Sequence, residues 1–200
     1  QLDHINHYAE SLPELEKPQV HLAELKQLLA SLDEDLFFEV IIGRNVFSRA
    51  REEKPLCKAL VARLAKQGSL HVCESVPSKG SRLSDFLPED LKSMFIQAET
   101  LLYEQSSNAL TNWDEQYLQS MFEEEGLAVQ VTSLDLAEER MMGQGDIRRY
   151  LTLSYLPSFE KLALTVDGQA LEMRLNELLA DRALHWRHHL AFVHASFQPM

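Results

Sequence analysis

The chain has 200 residues, of which 45% are apolar, and we expect one domain over residues 1–200 with a sizeable core. Its formal net charge of −12 argues against direct binding of nucleic acid. No apolar run approaches the roughly 20 residues that a membrane-spanning helix needs. The chain begins in the middle of a pattern at Gln1, without a signal peptide. We interpret it as a fragment of a longer cytoplasmic protein, and the two cysteines as buried free thiols.

The first third of the chain predicts alternating helices and strands. Residues 2–12 form an amphipathic pattern typical of a helix, residues 20–24 a short strand, and residues 25–32 a second helix. Residues 37–42 are nearly all apolar, which predicts a strand covered on both faces.

A crossover helix is predicted next, over residues 53–67, with Gly68 just past its end, where helices favour glycine. Residues 69–76 then predict another strand. Strands that alternate with helices indicate a parallel sheet, and ligands bind at the carboxyl ends of such strands. The first place to expect function is therefore the loop of Gly43, Arg44 and Asn45, which comes after the strand over 37–42.

The remainder of the chain predicts mostly helices. These lie over residues 81–87, 88–103, 112–126, 143–151, 156–164 and 168–182. Two segments, 127–136 and 185–197, alternate apolar and polar residues and predict strands. We expect these last two strands to pair at an edge of the sheet, in an antiparallel sense.

Residues 43–82 are locally basic, with nine Lys or Arg against three acidic residues. A solvated helix face explains such a run, and we favour that interpretation. The functional alternative is attraction of an anionic ligand or phosphate near Arg44 and Arg49.

Several other residues have simple structural explanations. His185, His188, His189 and His194 divide between the two faces of a strand, so we expect no metal site. Trp113 and Trp186 are predicted to pack in the interior, and Asp114 to cap a helix. The match of Ser158 and Lys161 to an S-x-x-K pattern is short enough to arise by chance. Three further segments have distinctive residue patterns: Ser69-Leu-His-Val-Cys-Glu-Ser-Val-Pro77 with Ser81-Arg-Leu83, then Asn112-Trp113-Asp114, and the strand over 185–197.

Together with Phe38-Glu-Val-Ile-Ile-Gly-Arg-Asn45, these segments resemble a class I S-adenosylmethionine-dependent methyltransferase. More narrowly, the chain resembles the methyltransferase-like domain fused behind the AAA+ ATPase of the replication-associated recombination protein A family. The resemblance implies a Rossmann-like α/β fold: a mostly parallel sheet with helices on both faces, an antiparallel edge, and the family's first two strands absent. It implies S-adenosylmethionine as cofactor and the ATPase region of the same polypeptide as partner, in DNA replication, recombination or repair.

The resemblance also implies roles for four residues. Glu24 falls where the family places an acidic residue near the adenine, and the Gly43 backbone lines the cofactor. Arg44 can hold an anionic group, and Asn45 orients the substrate as the candidate catalytic residue. The chain departs from the family in two places. It has no glycine-rich cofactor loop, since its seven glycines are scattered, and Gly-Arg-Asn replaces the Asn/Asp-Pro-Pro-aromatic loop of amino methyltransferases.

Two functions therefore remain open from the sequence. One is a methyltransferase-like domain, incomplete or degenerate in this chain. The other is a non-catalytic interaction or oligomerisation module that regulates the ATPase, including self-association through the edge of the strand over 37–42. A weaker third possibility is a nucleotide- or phosphate-binding domain that uses the basic stretch.

Overall fold

The computed structural model describes residues 23–47, 53–103 and 113–197. The chain divides into two compact units, Gln1–Leu36 and Phe37–Met200. In the first unit, helix α1 (Leu25–Ser31) confirms the short helix predicted over 25–32. The predicted helix over 2–12 and residues 20–22 of the predicted strand lie outside the described residues. Glu24 is the extended N-cap residue of α1 and belongs to no strand, so the described end of the predicted 20–24 strand is wrong.

The second unit contains strands and helices in alternation. Its strands are β1 (Phe38–Arg44), β2 (Leu64–Ser75), β3 (Leu127–Met141) and β4 (Ala183–Phe197). Its helices are α2 (Glu53–Val61), α3 (Glu89–Tyr103), α4 (Glu115–Glu123), α5 (Gln144–Tyr150), α6 (Leu156–Lys161) and α7 (Gly168–Leu179). Two 3₁₀ turns (Pro77–Lys79 and Leu83–Phe86) precede α3, and a π turn (Leu151–Tyr155) joins α5 to α6. None of the helices in these described ranges combines the length and apolar character that crossing a bilayer demands.

The four strands form one mixed sheet in the order β1-β2-β4-β3. Strands β1 and β2 run parallel, and β4 runs antiparallel to both β2 and β3. The predicted antiparallel pairing of the last two strands is therefore confirmed. Since β4 alone is reversed, the carboxyl ends of β1, β2 and β3 lie at the same edge of the sheet.

Helices pack against part of each face of the sheet. Val193 and Ala195 on β4 are buried on one face, the side of α2 and α4, and α4 contacts both β3 and β4. Leu184 and Trp186, of opposite parity on the same strand, belong to a second core on the other face. That second core is built largely from α3, the π turn, α6 and α7. The two halves of β4 are thus buried on opposite faces of the sheet.

Strand β1 is less covered than its apolar sequence predicts. The expectation of a strand buried on both faces is wrong, because Val40 is 53% exposed and Ile42 is 80% exposed. Within the described sheet β1 is an edge strand, paired only with β2. One of its faces is half-buried at Ile41 and Gly43, while the other carries Val40 and Ile42 on the open side.

Helix α2 ends earlier than its sequence pattern predicts. The helix stops at Val61, and residues 64–67, predicted as its last turn, begin β2 instead. Gly68 therefore lies inside the strand rather than at a helix C-terminus, next to an irregularity in the β1–β2 register. An added Cβ at Gly68 would lie 2.9 Å from the carbonyl oxygen of Phe38 and 3.0 Å from that of Ala65. The glycine allows these backbones to approach, which is a common reason for glycine in a strand.

A buried carboxylate organises the second core. The side chain of Glu99 on α3 accepts hydrogen bonds from the backbone N–H of Ser84 (3.1 Å), the Ser84 hydroxyl (2.5 Å) and the Tyr155 hydroxyl (2.7 Å). Burial, followed by the negative charge of Glu99, raises the pKa of Tyr155. Three donors compensate the cost of burying the carboxylate. Glu99 therefore ties α3 to the 3₁₀ turn before it and to the π turn.

We expect Gly68→Ala to lower the free energy of unfolding by ~1–3 kcal/mol, because the new methyl group overlaps backbone oxygens that cannot move without disturbing the β1–β2 pairing. The measurement is urea unfolding of both proteins. Gly145→Ala is the matched control: its Cβ meets nothing within 4 Å, so the change should be neutral or stabilising by ~0.5–1 kcal/mol. Equal stability of the two variants would contradict the close approach at Gly68.

Candidate functional site

The predicted site residues lie at the carboxyl edge of the sheet, but Gly43 and Arg44 are the last residues of β1 rather than loop, and only Asn45 follows the strand. Asn45 adopts the left-handed backbone conformation, with φ of 52°, which asparagine tolerates better than most residues. Its N–H donates to the carbonyl of Cys73 (2.9 Å), and its side-chain Oδ1 accepts from the Ser75 hydroxyl (3.3 Å). At Gly43 an added Cβ would clash with the side chain of Val46. Sequence reasoning therefore located a constrained loop at the expected edge.

A second buried carboxylate, which sequence reasoning missed, holds this loop. Glu74 on β2 is fully buried, and its Oε1 accepts the backbone N–H groups of Val46 (2.6 Å) and Phe47 (3.1 Å). Phe47 in turn packs edge-on against Phe122 of α4, with ring centroids 5.5 Å apart. Hydrogen bonds to an ionised acceptor are among the stronger ones, so the path of the loop after Asn45 is well determined.

Only some of the predicted site residues lie together in the structure. Gly43, Arg44 and Asn45 lie together at the sheet edge, and the Arg44 side chain is exposed. Glu24 belongs to the other compact unit, where its observed position is the N-cap of α1. Arg49, named with Arg44 in the anion hypothesis, lies outside the described residues. Their proposed roles toward a cofactor or substrate stay predictions.

A cleft adjoins the loop at the same edge of the sheet. Ser75, which bonds Asn45, lines a cavity of about 180 Å³ between the ends of β2 and β3 and the first half of β4. The 3₁₀ turns, α3 and α5 provide its other walls. The residues that border it include Arg82, Arg140, Arg187, His188 and His189. Among the described residues that line it there is no aspartate or glutamate.

Two of the three arginines rest on aromatic rings. The guanidinium carbon of Arg140 lies 4.9 Å from the ring centroid of Trp186 and 5.8 Å from that of Tyr150. The guanidinium of Arg82 lies 5.1 Å from the Tyr103 ring, and its Nη2 donates to the carbonyl of Ser78 (2.8 Å). Trp186 is buried and stacks on Phe86, which confirms its predicted packing role. Cation–π contact orients each guanidinium over its ring.

His189, on the cleft wall, is held between two carboxylates. Its Nδ1 lies 2.7 Å from Asp135 Oδ1, and its Nε2 makes a short contact with Glu115. An imidazole can donate from both nitrogens only when it is protonated. Glu115 also accepts from Lys79 (2.6 Å) and Ser133 (3.1 Å). Lys79, Glu115, His189 and Asp135 thus form a hydrogen-bonded network. It joins the start of α4 to β3, β4 and the first 3₁₀ turn.

Glu115 is strongly acidified by these contacts. Burial taken alone raises the pKa of Glu115, but the hydrogen bonds from Lys79, from the backbone and from His189 outweigh it and lower the pKa to about 2. Asp114 beside it accepts from the N–H of Tyr117 (2.9 Å), which confirms the predicted helix cap. Asp114 is the N-cap of α4 and Glu115 stands in its first turn, so both are at the end where the helix dipole favours negative charge.

The other histidines contact residues that are far from them in the sequence. His188 pairs with Glu138, and His194 meets His71 of β2, with the two Nδ1 atoms 3.3 Å apart. Across the described ranges, no three His, Cys, Asp or Glu side chains gather in a way that could hold a metal ion. Cys57 and Cys73 are free thiols, as predicted, but only Cys57 is buried, and Cys73 is half-buried. Burial raises the pKa of Cys57 to about 12. Ser158 is buried and donates to the carbonyl of Ser154 (2.7 Å).

Sequence reasoning missed the residues that define the cleft. Arg140 and Arg187 occur in alternating strands, where a charged residue usually faces solvent, and Arg82 comes after a short turn. A partial signal existed, since Arg140 and Arg187 each interrupt an otherwise uncharged or acidic stretch. The β3–β4 register pairs Arg140 with Leu184 and Ala137 with Arg187, so these two arginine side chains lie on opposite faces of the sheet although both residues border the cleft. That register cannot be derived from either strand alone.

No protein-family model matches the chain, and no curated protein matches it. Similar solved structures exist, including a cyclopropane-fatty-acyl-phospholipid synthase-like protein from Lactobacillus casei ATCC 334. It is 15% identical, with a TM-score of 0.47, over 94% of this chain and 67% of that one. A candidate methyltransferase from Bacillus halodurans C-125 is 14% identical, with a TM-score of 0.43, over 82% of this chain. Phosphoethanolamine N-methyltransferase 2 from Haemonchus contortus, bound to S-adenosyl-L-methionine, is 13% identical, with a TM-score of 0.36, over 80%.

This chain spans only part of those proteins: 65% of the length of the Bacillus protein and 34% of the Haemonchus enzyme. At such identities and TM-scores the likeness agrees with the mixed α/β class but carries no argument about activity. The function of this chain must therefore be inferred from its own arrangement of strands, loop and cleft.

We expect Glu74→Ala to release the loop after β1, because two buried backbone N–H groups lose their acceptor. The unfolding free energy should fall by about 1–3 kcal/mol per unsatisfied group. Hydrogen exchange at the amides of Val46 and Phe47 should accelerate at least tenfold relative to the rest of the sheet. Glu74→Gln is the control, since its amide oxygen can still accept both bonds and only the charge is lost. Unchanged protection in Glu74→Ala would show that Glu74 does not anchor the loop.

We expect Glu115→Gln to reduce stability in a pH-dependent way. The pKa of Glu115 lies near 2 in the fold and at 4.5 ordinarily, so its stabilisation is complete above pH 4.5 and is lost as the pH falls toward 2. The stability difference between the two proteins should be constant, at about 1–3 kcal/mol, from pH 5 to 7 and should shrink below pH 4.5. Urea unfolding at several pH values measures it. A difference that grows on acidification would contradict the assignment.

Proposed function

We propose that this chain is the carboxyl-terminal part of an S-adenosylmethionine-dependent, methyltransferase-like domain. The observation that supports this most directly is the sheet itself. Three strands run in one direction, and the reversed β4 lies between β2 and β3. In open α/β sheets ligands bind beyond the carboxyl ends of the strands. At that edge this chain has the constrained 43–45 loop, its Glu74 anchor and the arginine-lined cleft.

The residues at the edge fit one wall of a cofactor site. Gly43 has no room for a side chain, so bare backbone is presented at the end of β1. We propose that this backbone lines the methionine part of the cofactor, with exposed Arg44 available to an anionic group. The bound cofactor would supply the methyl group. The glycine-rich loop that such a cofactor needs is not found in this sequence, so this chain can supply only part of the binding energy.

Asn45 is the residue we propose to orient the substrate. Its Oδ1 is occupied by the Ser75 hydroxyl, which fixes the plane of the amide and leaves the side-chain N–H₂ as the group to donate. Glu24 remains a proposal as the acceptor for the adenine amino group. The parent protein, a AAA+ ATPase of DNA replication or recombination in the cytoplasm, is likewise proposed from the sequence resemblance, and the ATPase region is the proposed partner.

The second candidate is a non-catalytic module that associates with a second copy of this chain. The observation that favours it is the outer edge of β1, unpaired within the described sheet, together with the exposure of Val40 and Ile42 beside it. Exposed strand edges pair readily with other chains. Light scattering after size exclusion measures the species in solution. A monomer over the concentrations tested would overturn self-association.

We expect S-adenosylhomocysteine to bind residues 1–200 weakly, since they supply only part of the site, and isothermal titration measures the affinity. Gly43→Ala should lower the affinity about tenfold or more, since the new methyl group displaces the loop. Asn45→Gly is the matched variant: it keeps the left-handed backbone, removes the amide, and should leave the affinity within about twofold because Asn45 is assigned to the substrate. Absence of any binding would overturn the cofactor proposal.

A further inference from the structure

A pair of histidines faces each other across two strands of the sheet. His71 of β2 is directly opposite His194 of β4 in the antiparallel register, and the two Nδ1 atoms are 3.3 Å apart. Both strands are paired on each side, so the backbone fixes the positions from which the two imidazoles extend. The residues are 123 positions apart in the chain, and the spacing of histidines within β4 therefore did not indicate the pair.

This pair differs from the neighbouring histidines of β4 in what it contacts. His188 and His189 each contact carboxylates, whereas His194 contacts a second imidazole. A carboxylate favours the protonated imidazole, which has no free nitrogen for a metal ion. Two imidazoles can each present an unprotonated ring nitrogen, and neutral imidazole is the commonest protein ligand of metal ions.

A serine hydroxyl supports one of the two rings from behind. The Oγ of Ser69 lies 3.0 Å from His71 Nε2. With its proton on Nε2, His71 donates to this hydroxyl, and its Nδ1 has an unshared lone pair. Metal-binding histidines usually donate from the second ring nitrogen to such an outer partner, which fixes the tautomer and the ring orientation. Ser69 therefore favours the form of His71 that a metal ion needs.

The separation of the two nitrogens matches a tetrahedral ion. Two nitrogens that each lie about 2.0–2.1 Å from a tetrahedral Zn²⁺ are about 3.3–3.4 Å apart. Ligands at right angles in a square or octahedral site would be about 2.8–3.0 Å apart. The rings lie side by side rather than end to end, with centroids 4.5 Å apart and planes inclined at 46°. Rotation about χ2, which is broad for histidine, aims both lone pairs at one ion.

A groove of about 360 Å³ borders the pair on the open side of the sheet. Its polar lining includes Cys73, Gln130 and Thr132, and none of the described residues that line it is Lys, Arg, Asp or Glu. Arg44, which pairs with Cys73 further along the strands, does not line the groove. An ion with bound water therefore has space there, and the net charge of −12 attracts cations to the protein.

We propose that His71 and His194 bind a divalent transition-metal ion, Zn²⁺ by its geometry, which links β2 to β4. This site goes beyond the proposed function and does not depend on it. Two protein ligands leave two positions of a tetrahedral ion to water or to a bound molecule. Since no three His, Cys, Asp or Glu side chains gather within the described ranges, the ion is held more weakly than in a structural zinc centre and exchanges with solvent.

The test is titration of Zn²⁺ into the full chain, with binding measured by calorimetry and by the midpoint of thermal unfolding. We expect the midpoint to rise with Zn²⁺ concentration, because an ion that joins two strands binds the folded state in preference to the unfolded one. Mg²⁺ is the control, since it prefers oxygen ligands and should leave the midpoint unchanged. No Zn²⁺ binding up to about 1 mM would overturn the proposal.

Variants show whether the pair itself is the site. His71→Gln and His194→Gln should each weaken Zn²⁺ binding about a hundredfold, because two linked ligands bind far more tightly than one. His185→Gln is the matched control: it removes an exposed histidine from the same strand β4, and the affinity should stay within about twofold. His71 is exposed, so its variant should unfold at the same midpoint as the parent without metal. Equal affinity in His71→Gln and His185→Gln would overturn the assignment.

Two further measurements test the geometry. Co²⁺ bound in place of Zn²⁺ should give the intense visible absorption of a tetrahedral site, and His71→Gln should remove it. A weak octahedral spectrum would overturn the tetrahedral arrangement. Ser69→Ala should lower the Zn²⁺ affinity about tenfold, as expected when a partner behind a ligand is lost, without changing stability in the absence of metal. Unchanged affinity in Ser69→Ala would overturn the positioning role of Ser69.

Discussion

The reversed strand β4 is the constraint on which the described structure depends. It pairs with β3 along fifteen consecutive residues and with β2 along seven, so it joins the parallel part of the sheet to its antiparallel edge. Its second half is buried on the face of α2 and α4, and its first half enters the core formed by α3 and α6–α7. The same first half supplies Trp186, Arg187 and His189 to the cleft. A change in its register would move all three at once.

Two buried carboxylates position the loops at the functional edge. Glu74 fixes the loop after β1, and Glu99 fixes the turn that precedes α3 together with the π turn. A buried carboxylate is costly unless several donors surround it, and each of these has at least two. Both use backbone N–H groups as donors, so they determine the path of the chain rather than the placement of one side chain. The loop containing Asn45 and the cleft walls are thereby held in a defined relation.

The cleft is bordered by arginines that are far apart in the sequence. The arginines come from three separate segments, and aromatic rings support two of them. A ring attracts a guanidinium through its quadrupole and, unlike a carboxylate, leaves the positive charge in place. The neighbouring histidines contact Glu115, Asp135 and Glu138.

The sequence by itself determined the elements whose patterns are local. It indicated α3, the cap at Asp114, the antiparallel pairing of β3 with β4, and a constrained loop at Gly43 and Asn45, because capping, alternation and glycine placement act over a few residues. The sequence misplaced the end of α2, because the helical pattern of 53–67 competes with sheet pairing of residues 64–67. It also overestimated the burial of β1, because burial depends on what packs above a strand. Only the tertiary structure decided which distant charges meet. Glu74 reaches the loop, and Arg82, Arg140 and Arg187 reach one cavity, through the order and register of the strands, which are set by the cooperative packing of all four.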